Sequence, residues 1–457
     1  MNREKHFHPL AALHLLRKTL LVYLLPLVQV LFDRNWDALR AALRQELVLL
    51  FFISAVCWAV YYASRWQVDA EGTVHVSWRL GVRLDRALRA EGLAALMLEQ
   101  PLLYRLTGAC RVVLYPVGQT KTITLYLTRQ QAEELADVLL PVTDPLWHAP
   151  KGGEKLAFTV LGANGLSTLI LWWLAIHQTQ SYAPDAQTAA LAQLGHLAAF
   201  AARWLPLGMA WLLVLAGTLF CISLVRSALQ AVHYTVWRTD TQLGSRGGWL
   251  SRFEFRVRSR EISYADVRVS PIARLMKRWP VFVVAGSCRP ELPLFVYRSG
   301  QEELFRELLP EFRMPPDTRH DLTHRSAVFF APAGIPFGLC LLLVLVSRSV
   351  LPALTGTLLI PTAVFAVFLA GGLMGWLKEG IWLREGRFTL RRQKGVYLHC
   401  ICVFHPDVCL RTFQSPWAAR YQRMTLTLAL PGQVRLKVRS IPVRDAAPCL
   451  NALEQKT

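Results

Sequence analysis

Six apolar stretches, grouped in three close pairs, limit this chain more than any other feature. The first pair is Thr19–Phe32, extended back toward Pro9 across Arg17-Lys18, with Leu47–Ser64. The second is Leu156–Ile176 with Trp204–Val225, and the third is Ala327–Ser347 with Val350–Leu377. Crossing about 30 Å of hydrocarbon takes roughly 20 helical residues, and five of the six approach or exceed that length. The first is shorter and carries Pro26, which leaves two readings: a span through a thinned bilayer, or a re-entrant hairpin with the second. Asp33-Arg34 ends it abruptly with no small-residue cleavage motif, which argues against a cleaved leader.

The expected organisation is therefore an N-terminal transmembrane pair (1–64), a polar module (65–155), and a second pair (156–225). A second module (226–326), a third pair (327–377) and a third module (378–457) follow. Composition agrees: 53% of residues are hydrophobic and 18% charged, yet Lys+Arg 51 against Asp+Glu 31 leaves a net charge of +20. A disordered chain would lack the apolar content, and a disulfide scaffold would be short and Cys-dense. A soluble nucleic-acid binder would not reach a mean hydropathy of +0.30.

Charge placement sets an orientation. With the N-terminus inside, 46 of the 51 Lys and Arg fall on the inner side. The outer segment 177–203 has Asp185 and Arg203 as its only charged residues. The positive-inside rule then puts both termini and all three modules in the cytoplasm.

The modules look alike. Each opens on an aromatic-rich strand: Trp66-Gln-Val, Tyr234-Thr-Val-Trp237 and Ile381-Trp382-Leu. Period-two stretches follow. Phe253, Phe255, Val257 and Ile262 alternate with charged residues in the second module, and Phe388 and Leu390 lead to Val396–Val403 in the third. Each then runs from an extended piece through a small turn and a basic residue into a β-forming strand. A Ser or Thr ahead of a short C-terminal helix closes each unit, at Thr128, Ser299 and Ser440. The unit reads as antiparallel strands closed by one helix, a small sandwich or barrel with a plug.

Specific passages carry a family likeness. The basic opening HPLAALHLLRKTLL stands before the first helix, and the LLYRLTGACRV passage and ITLYLTRQQAEELADVLLP belong to the first module. SREISYADVRVSPIARL and ELFRELLPEF belong to the second. With paired helices before each module, the chain resembles the bacterial PH-like membrane proteins of the YdbT type. The third module departs from the pattern, since its last helix lacks the acidic run and holds Pro448. The resemblance implies a membrane α + β architecture: six transmembrane helices in three pairs, each pair followed by a seven-stranded bent sheet capped by a helix. It supplies no catalytic residues and no cofactor.

The residues themselves offer little chemistry. No P-loop, HExxH or nucleophile elbow occurs. No CxxC occurs among the nine Cys. Cys400-Ile-Cys402, flanked by His399 and His405, shares a strand face and reads as core rather than as a soft-metal site. His6, His8 and His14 read as interfacial residues before a helix. The spans carry essentially no charge, and Arg17-Lys18 and Lys378-Glu379 lie at boundaries. Gly334-x-x-x-Gly338 and Gly371-x-x-x-Gly375 allow close helix packing. Asp33–Glu46 reads as an amphipathic surface helix, and Leu191, Leu194 and Leu197 share a helical register.

Basic patches are the remaining candidate site. Arg256, Arg258, Arg260, Arg274, Lys277 and Arg278 stand in the second module. Arg391, Arg392, Lys394, Arg435, Lys437 and Arg439 stand in the third. They either bind anionic headgroups or an acidic partner, or only fix the orientation; a basic residue near such a surface is worth about 1 kcal/mol. The expected partners are membrane lipids, with a smaller PH-like membrane protein and a homo-oligomer as further readings, and no nucleic acid. The expected role is a non-enzymatic scaffold or sensor at the bacterial cytoplasmic membrane, in envelope stress or antimicrobial-peptide resistance. The competing reading is a transporter or exporter component.

Overall fold

In the computed structural model the strands among the described residues are all antiparallel and fall into four sheets. The structure describes residues 4–11, most of 48–162, and 184–454 apart from short stretches such as 326–330 and 404–407. Thr19–Phe32, the connector Asp33–Glu46 and His14 lie outside the described residues. Leu47–Ser64 and Leu156–Ile176 are described only in part.

The first unit begins with β1 (Lys5–His6), β2 (Ser64–Val68), β3 (Val74–Leu80) and β4 (Val82–Leu88), which form one sheet. β5 (Leu93–Gln100), β6 (Ala109–Pro116) and β7 (Ile123–Thr128) follow, with α1 (Leu102–Thr107) between the first two. α2 (Arg129–Leu139) closes the unit. Thr128 caps it with a full capping box, taking the Gln131 N–H while the Gln131 side chain takes the Thr128 N–H. Ala132, Leu135, Ala136 and Leu139 on one face of α2 join Trp66, Leu96, Val112 and Leu125 in a buried core.

The second unit repeats this plan. It has β8 (Leu146–His148), β9 (Thr235–Arg238), β10 (Gln242–Gly247) and β11 (Arg252–Arg258), then β12 (Ile262–Val269), β13 (Arg278–Ala285) and β14 (Phe295–Arg298). Between β8 and β9 run α3 (Gly152–Gly162), α4 (Pro184–Ala201) and α5 (Leu207–Ala231). α6 (Pro271–Met276) follows β12, and α7 (Glu303–Leu308) closes the unit over Phe295, Val281 and Val267. Gly244 is required here: a Cβ would sit 2.3 Å from the ring of Trp237, its cross-strand neighbour.

α8 (Ala331–Val350) and α9 (Pro352–Lys378) precede the third unit. That unit has β15 (Gly380–Arg384), β16 (Arg387–Lys394) and β17 (Tyr397–Val403), then β18 (Cys409–Phe413), α10 (Pro416–Arg420), β19 (Arg423–Leu430), β20 (Val434–Pro442) and α11 (Val443–Glu454). Its core gathers Phe388, Leu390, Leu426, Leu436 and Cys449.

Two features depart from a chain of separate modules. First, β1 and β8 precede the apolar stretches of their own unit yet pair with β2 and β9 beyond them, so those stretches are inserted between the first and second strands of a sheet. In the third unit the matching place holds Pro315-Pro316, which have no N–H for a ladder. Side chains tie that segment instead: Arg384 donates to the Met314 carbonyl at 2.9 Å, and Arg391 pairs with Asp317 at 2.8 Å. Second, the units are joined edge to edge. β5 pairs with β11 from Gln100↔Arg252 to Ala95↔Val257, making one seven-stranded sheet from two units. β12 pairs with β17 from Val269↔Leu398 to Tyr264↔Val403, making a six-stranded sheet.

Among the described residues, three helical segments are long and apolar enough to cross a membrane: Leu207–Ala231, Pro332–Val350 and Leu354–Lys378. The sequence reading of six spans is supported to that extent. Two of the three expected caps shift. α7 starts from Glu302 rather than Ser299, and Ser440 lies in β20 ahead of α11. Gly371 packs on the β16–β17 turn rather than on a helix, since its Cβ would lie 2.5 Å from the Gly395 carbonyl.

Arg256 locks the first seam. Only 6% exposed, it donates to Glu254 at 2.7 Å on its own strand, and to Asp137 and the Leu140 carbonyl of the first unit at 2.8 Å each. Arg256→Ala is expected to lower unfolding stability by about 3 kcal/mol, because a half-buried carboxylate and a buried carbonyl lose their donor. Arg260→Ala, at an exposed turn, is expected to change it by less than about 0.5 kcal/mol. Thermal or denaturant unfolding of both variants checks the contrast.

Candidate membrane-facing surface

A short helix recurs at the same place in all three units. β5 ends at Pro101, and β12 and β18 run into Ser270-Pro271 and Ser415-Pro416. Proline ends the ladder and suits the first helical turn. The Ser270 and Ser415 hydroxyls accept the Ala273 and Ala418 N–H groups at 3.0 and 3.2 Å. The chain leaves each helix through a residue of positive φ: Gly108, Lys277 and Gln422.

Each short helix lies beside the segment that leads into its own unit's apolar helices. Thr107, at the end of α1, hydrogen-bonds His8, whose imidazole pKa is lowered mainly by burial. α6 packs on α3, where Arg278 lies 4.0 Å from Glu154. At the end of α10, Tyr421 stacks on His324 at 4.6 Å, and Arg423 donates to the carbonyls of Asp321 and Thr323 just ahead of α8.

The hairpin of the following unit closes against the same region. Gly248 and Trp249 donate to the Val232 and Leu229 carbonyls at the end of α5, and Arg105 of α1 donates to the Trp249 carbonyl. One edge of the array therefore carries all three short helices, the hairpin turns and the ends of the apolar helices. It is apolar at its tips. Leu106 is 77% exposed, Leu275 85% and Trp417 75%, with Leu102, Ile272, Trp249, Leu250, Phe413 and Tyr421 exposed nearby. Single exposed leucines mean little, but the same position in successive repeats forms a row.

At the end of α9 a buried charge cluster fixes the third unit to its helices. Glu379, 2% exposed, accepts the Gln393 and Arg439 N–H groups at 3.3 Å each. Arg325 donates to the carbonyls of Trp376, Glu379 and Arg439. Burial raises the Glu379 carboxyl above its ordinary range despite Arg439 and Arg325, and burial lowers Arg325 to about 10.

The twelve basic residues singled out in the sequence do not form one patch. Arg256 and Arg258 belong to the first seam, Arg258 donating to the Ala90 carbonyl at 3.0 Å. Arg260 is exposed at the far end of β11. Arg274, Lys277 and Arg278 cluster around α6, and Lys394 stands opposite Tyr397 at the same edge. Arg391 is held by Asp317 and lies over Trp382. Arg392 donates to the Arg435 carbonyl. Arg435, Lys437 and Arg439 share the outward face of β20.

Cys400 and Cys402 face the core of the second unit across β12, and burial pushes both thiols up to about 11. The exposed apolar row was missed in the sequence. Its signal was apolar spacing after the strand-ending prolines: Leu102/Leu106, Ile272/Leu275 and Trp417/Tyr421.

No protein-family model, curated protein or solved structure matches this chain.

The Glu379 cluster yields a pH test. A carboxyl whose folded pKa lies above its unfolded value near 4.5 contributes stability that is present in acid and lost as pH rises through the folded pKa. Glu379→Gln removes that titration. The thermal midpoint of the variant relative to the unaltered chain is therefore expected to rise from pH 4.5 toward neutrality; a difference that falls over this range contradicts it.

Proposed function

We propose that this chain is a non-enzymatic scaffold or sensor of the bacterial cytoplasmic membrane, holding three PH-like modules as one array against the anionic inner leaflet. The observation that carries this reading is the threefold recurrence of an exposed apolar short helix beside the approach to each set of apolar helices. The arrangement of each of the first two units, four strands then three strands then a helix, agrees with the PH-like resemblance. The placement of 46 of 51 Lys and Arg on one side supports a cytoplasmic location.

In this reading Thr19–Phe32, Leu47–Ser64 and Leu156–Ile176 complete the six spans. Leu106, Leu275 and Trp417 then sit in the headgroup layer, where burying a leucine side chain is worth about 2 kcal/mol. Lys277, Arg278 and Lys394 add attraction to anionic lipid at the same level. Roles in envelope stress or antimicrobial-peptide resistance rest on the family likeness alone.

Photo-crosslinking residues placed at positions 106, 275 and 417 of the full chain in nanodiscs test this. Lipid adducts are expected at all three and none at position 260, on the distal end of β11. Absence of adducts at the three positions, or equal labelling at 260, contradicts the arrangement.

A further inference from the structure

A groove of 660 Å³ lies on the first seam, between the ladder that joins two units and the ends of two apolar helices. Its charged and imidazole side chains come from five elements. α2 supplies Arg129 and Glu133, α3 supplies Lys155, and the turn after α5 supplies His233. β10 and β11 supply Arg246, Arg252 and Glu254.

The charge inside is unbalanced for a structural reason. Both carboxylates are already engaged, Glu133 with Arg129 at 2.8 Å and Glu254 with Arg256 at 2.7 Å. Arg246 is held in place by stacking over Trp147, 4.4 Å from the ring centroid, and by its Nε–H donating to Thr235 at 3.4 Å. Lys155 and Arg252 are exposed and have no ion-pair partner among the described residues. Three further cations thus face one cleft whose two acids are each already paired with an arginine. Such a cleft concentrates anions, and Arg adds planar N–H donors matched to phosphate oxygens.

The groove is also at a definite level. Lys155 is in the first turn of α3, and His233 stands two residues past the end of α5. We infer that this groove binds the phosphate group of an anionic phospholipid headgroup, with Lys155, Arg246 and Arg252 as its ligands. This rests on the membrane-facing reading above, since only then does the groove open at headgroup height. It deepens that reading by placing lipid selectivity at one seam between units rather than across a general basic surface.

The test uses the full chain in nanodiscs of phosphatidylcholine doped with phosphatidylglycerol. Lipids retained on extraction are quantified by mass spectrometry. The double variant Lys155→Gln/Arg252→Gln is compared with Arg260→Gln/Arg298→Gln, which removes the same charge from exposed positions outside the groove. Enrichment of the anionic lipid is expected to fall about thirty-fold in the first, from two cationic contacts of ordinary strength, and little in the second. Equal enrichment in both variants overturns the site. Retained enrichment in millimolar inorganic phosphate supports a lipid ligand, whereas full displacement overturns the lipid assignment in favour of soluble phosphate. Crosslinks at 106, 275 and 417 that persist while the double variant has no effect would sink this inference alone; loss of those crosslinks would sink the underlying reading.

Discussion

Everything in this architecture depends on pairing of strand edges between units. β5 and β12 each begin the second sheet of a unit, and each would otherwise present a row of unsatisfied N–H and C=O groups. The chain satisfies them with β11 and β17 of the following unit. A continuous ladder also fixes orientation. Because β5 and β12 lead directly into α1 and α6, the seams place those helices and the next hairpin turn on one edge. Independent domains on linkers would carry no such relation.

The seams also explain where the unusual residues went. On the face of β12 and β13 turned toward the third unit, Tyr264 and Val284 are buried in that unit's core. The corresponding face of the last sheet carries Arg411, Thr425, Thr427 and Lys437 instead. Those polar side chains let that face stand in water. The basic residues divide in the same way. Arg256, Arg258, Arg325 and Arg423 hold carbonyls and carboxylates together, while Arg252, Lys155, Lys277, Lys394 and Lys437 remain exposed. The net charge of +20 therefore mixes structural arginines with surface charge, and only the second class can meet a ligand.

Much of the local structure was legible. Period-two alternation marked β11, β16 and β17, and Thr128 marked the start of α2, because those signals come from neighbours in sequence. Leu191, Leu194 and Leu197 do lie on one helix, α4. The insertion of the apolar stretches within the sheets was not legible. β1 and β8 are two and three residues long, too short for periodicity, and their partners lie beyond the apolar helices. The seams were hidden for a related reason: β5 and β11 each look like ordinary strands, and nothing local names a partner in another unit. Of the basic candidates, Arg256 and Arg258 hold the seam, a placement that sequence does not display because it shows charge but not partners.

Hydrogen exchange of the full chain in nanodiscs, read strand by strand, tests the seams most directly. Amides of Ala95–Gln100, Arg252–Val257, Tyr264–Val269 and Leu398–Val403 are expected to exchange as slowly as β6 and β13, strands with a partner on each side. They should be far slower than β18, whose outer edge pairs with no other strand among the described residues. Exchange at the seam strands as fast as at β18 would mean that the units are not joined edge to edge, and the account of their common orientation would fail with it.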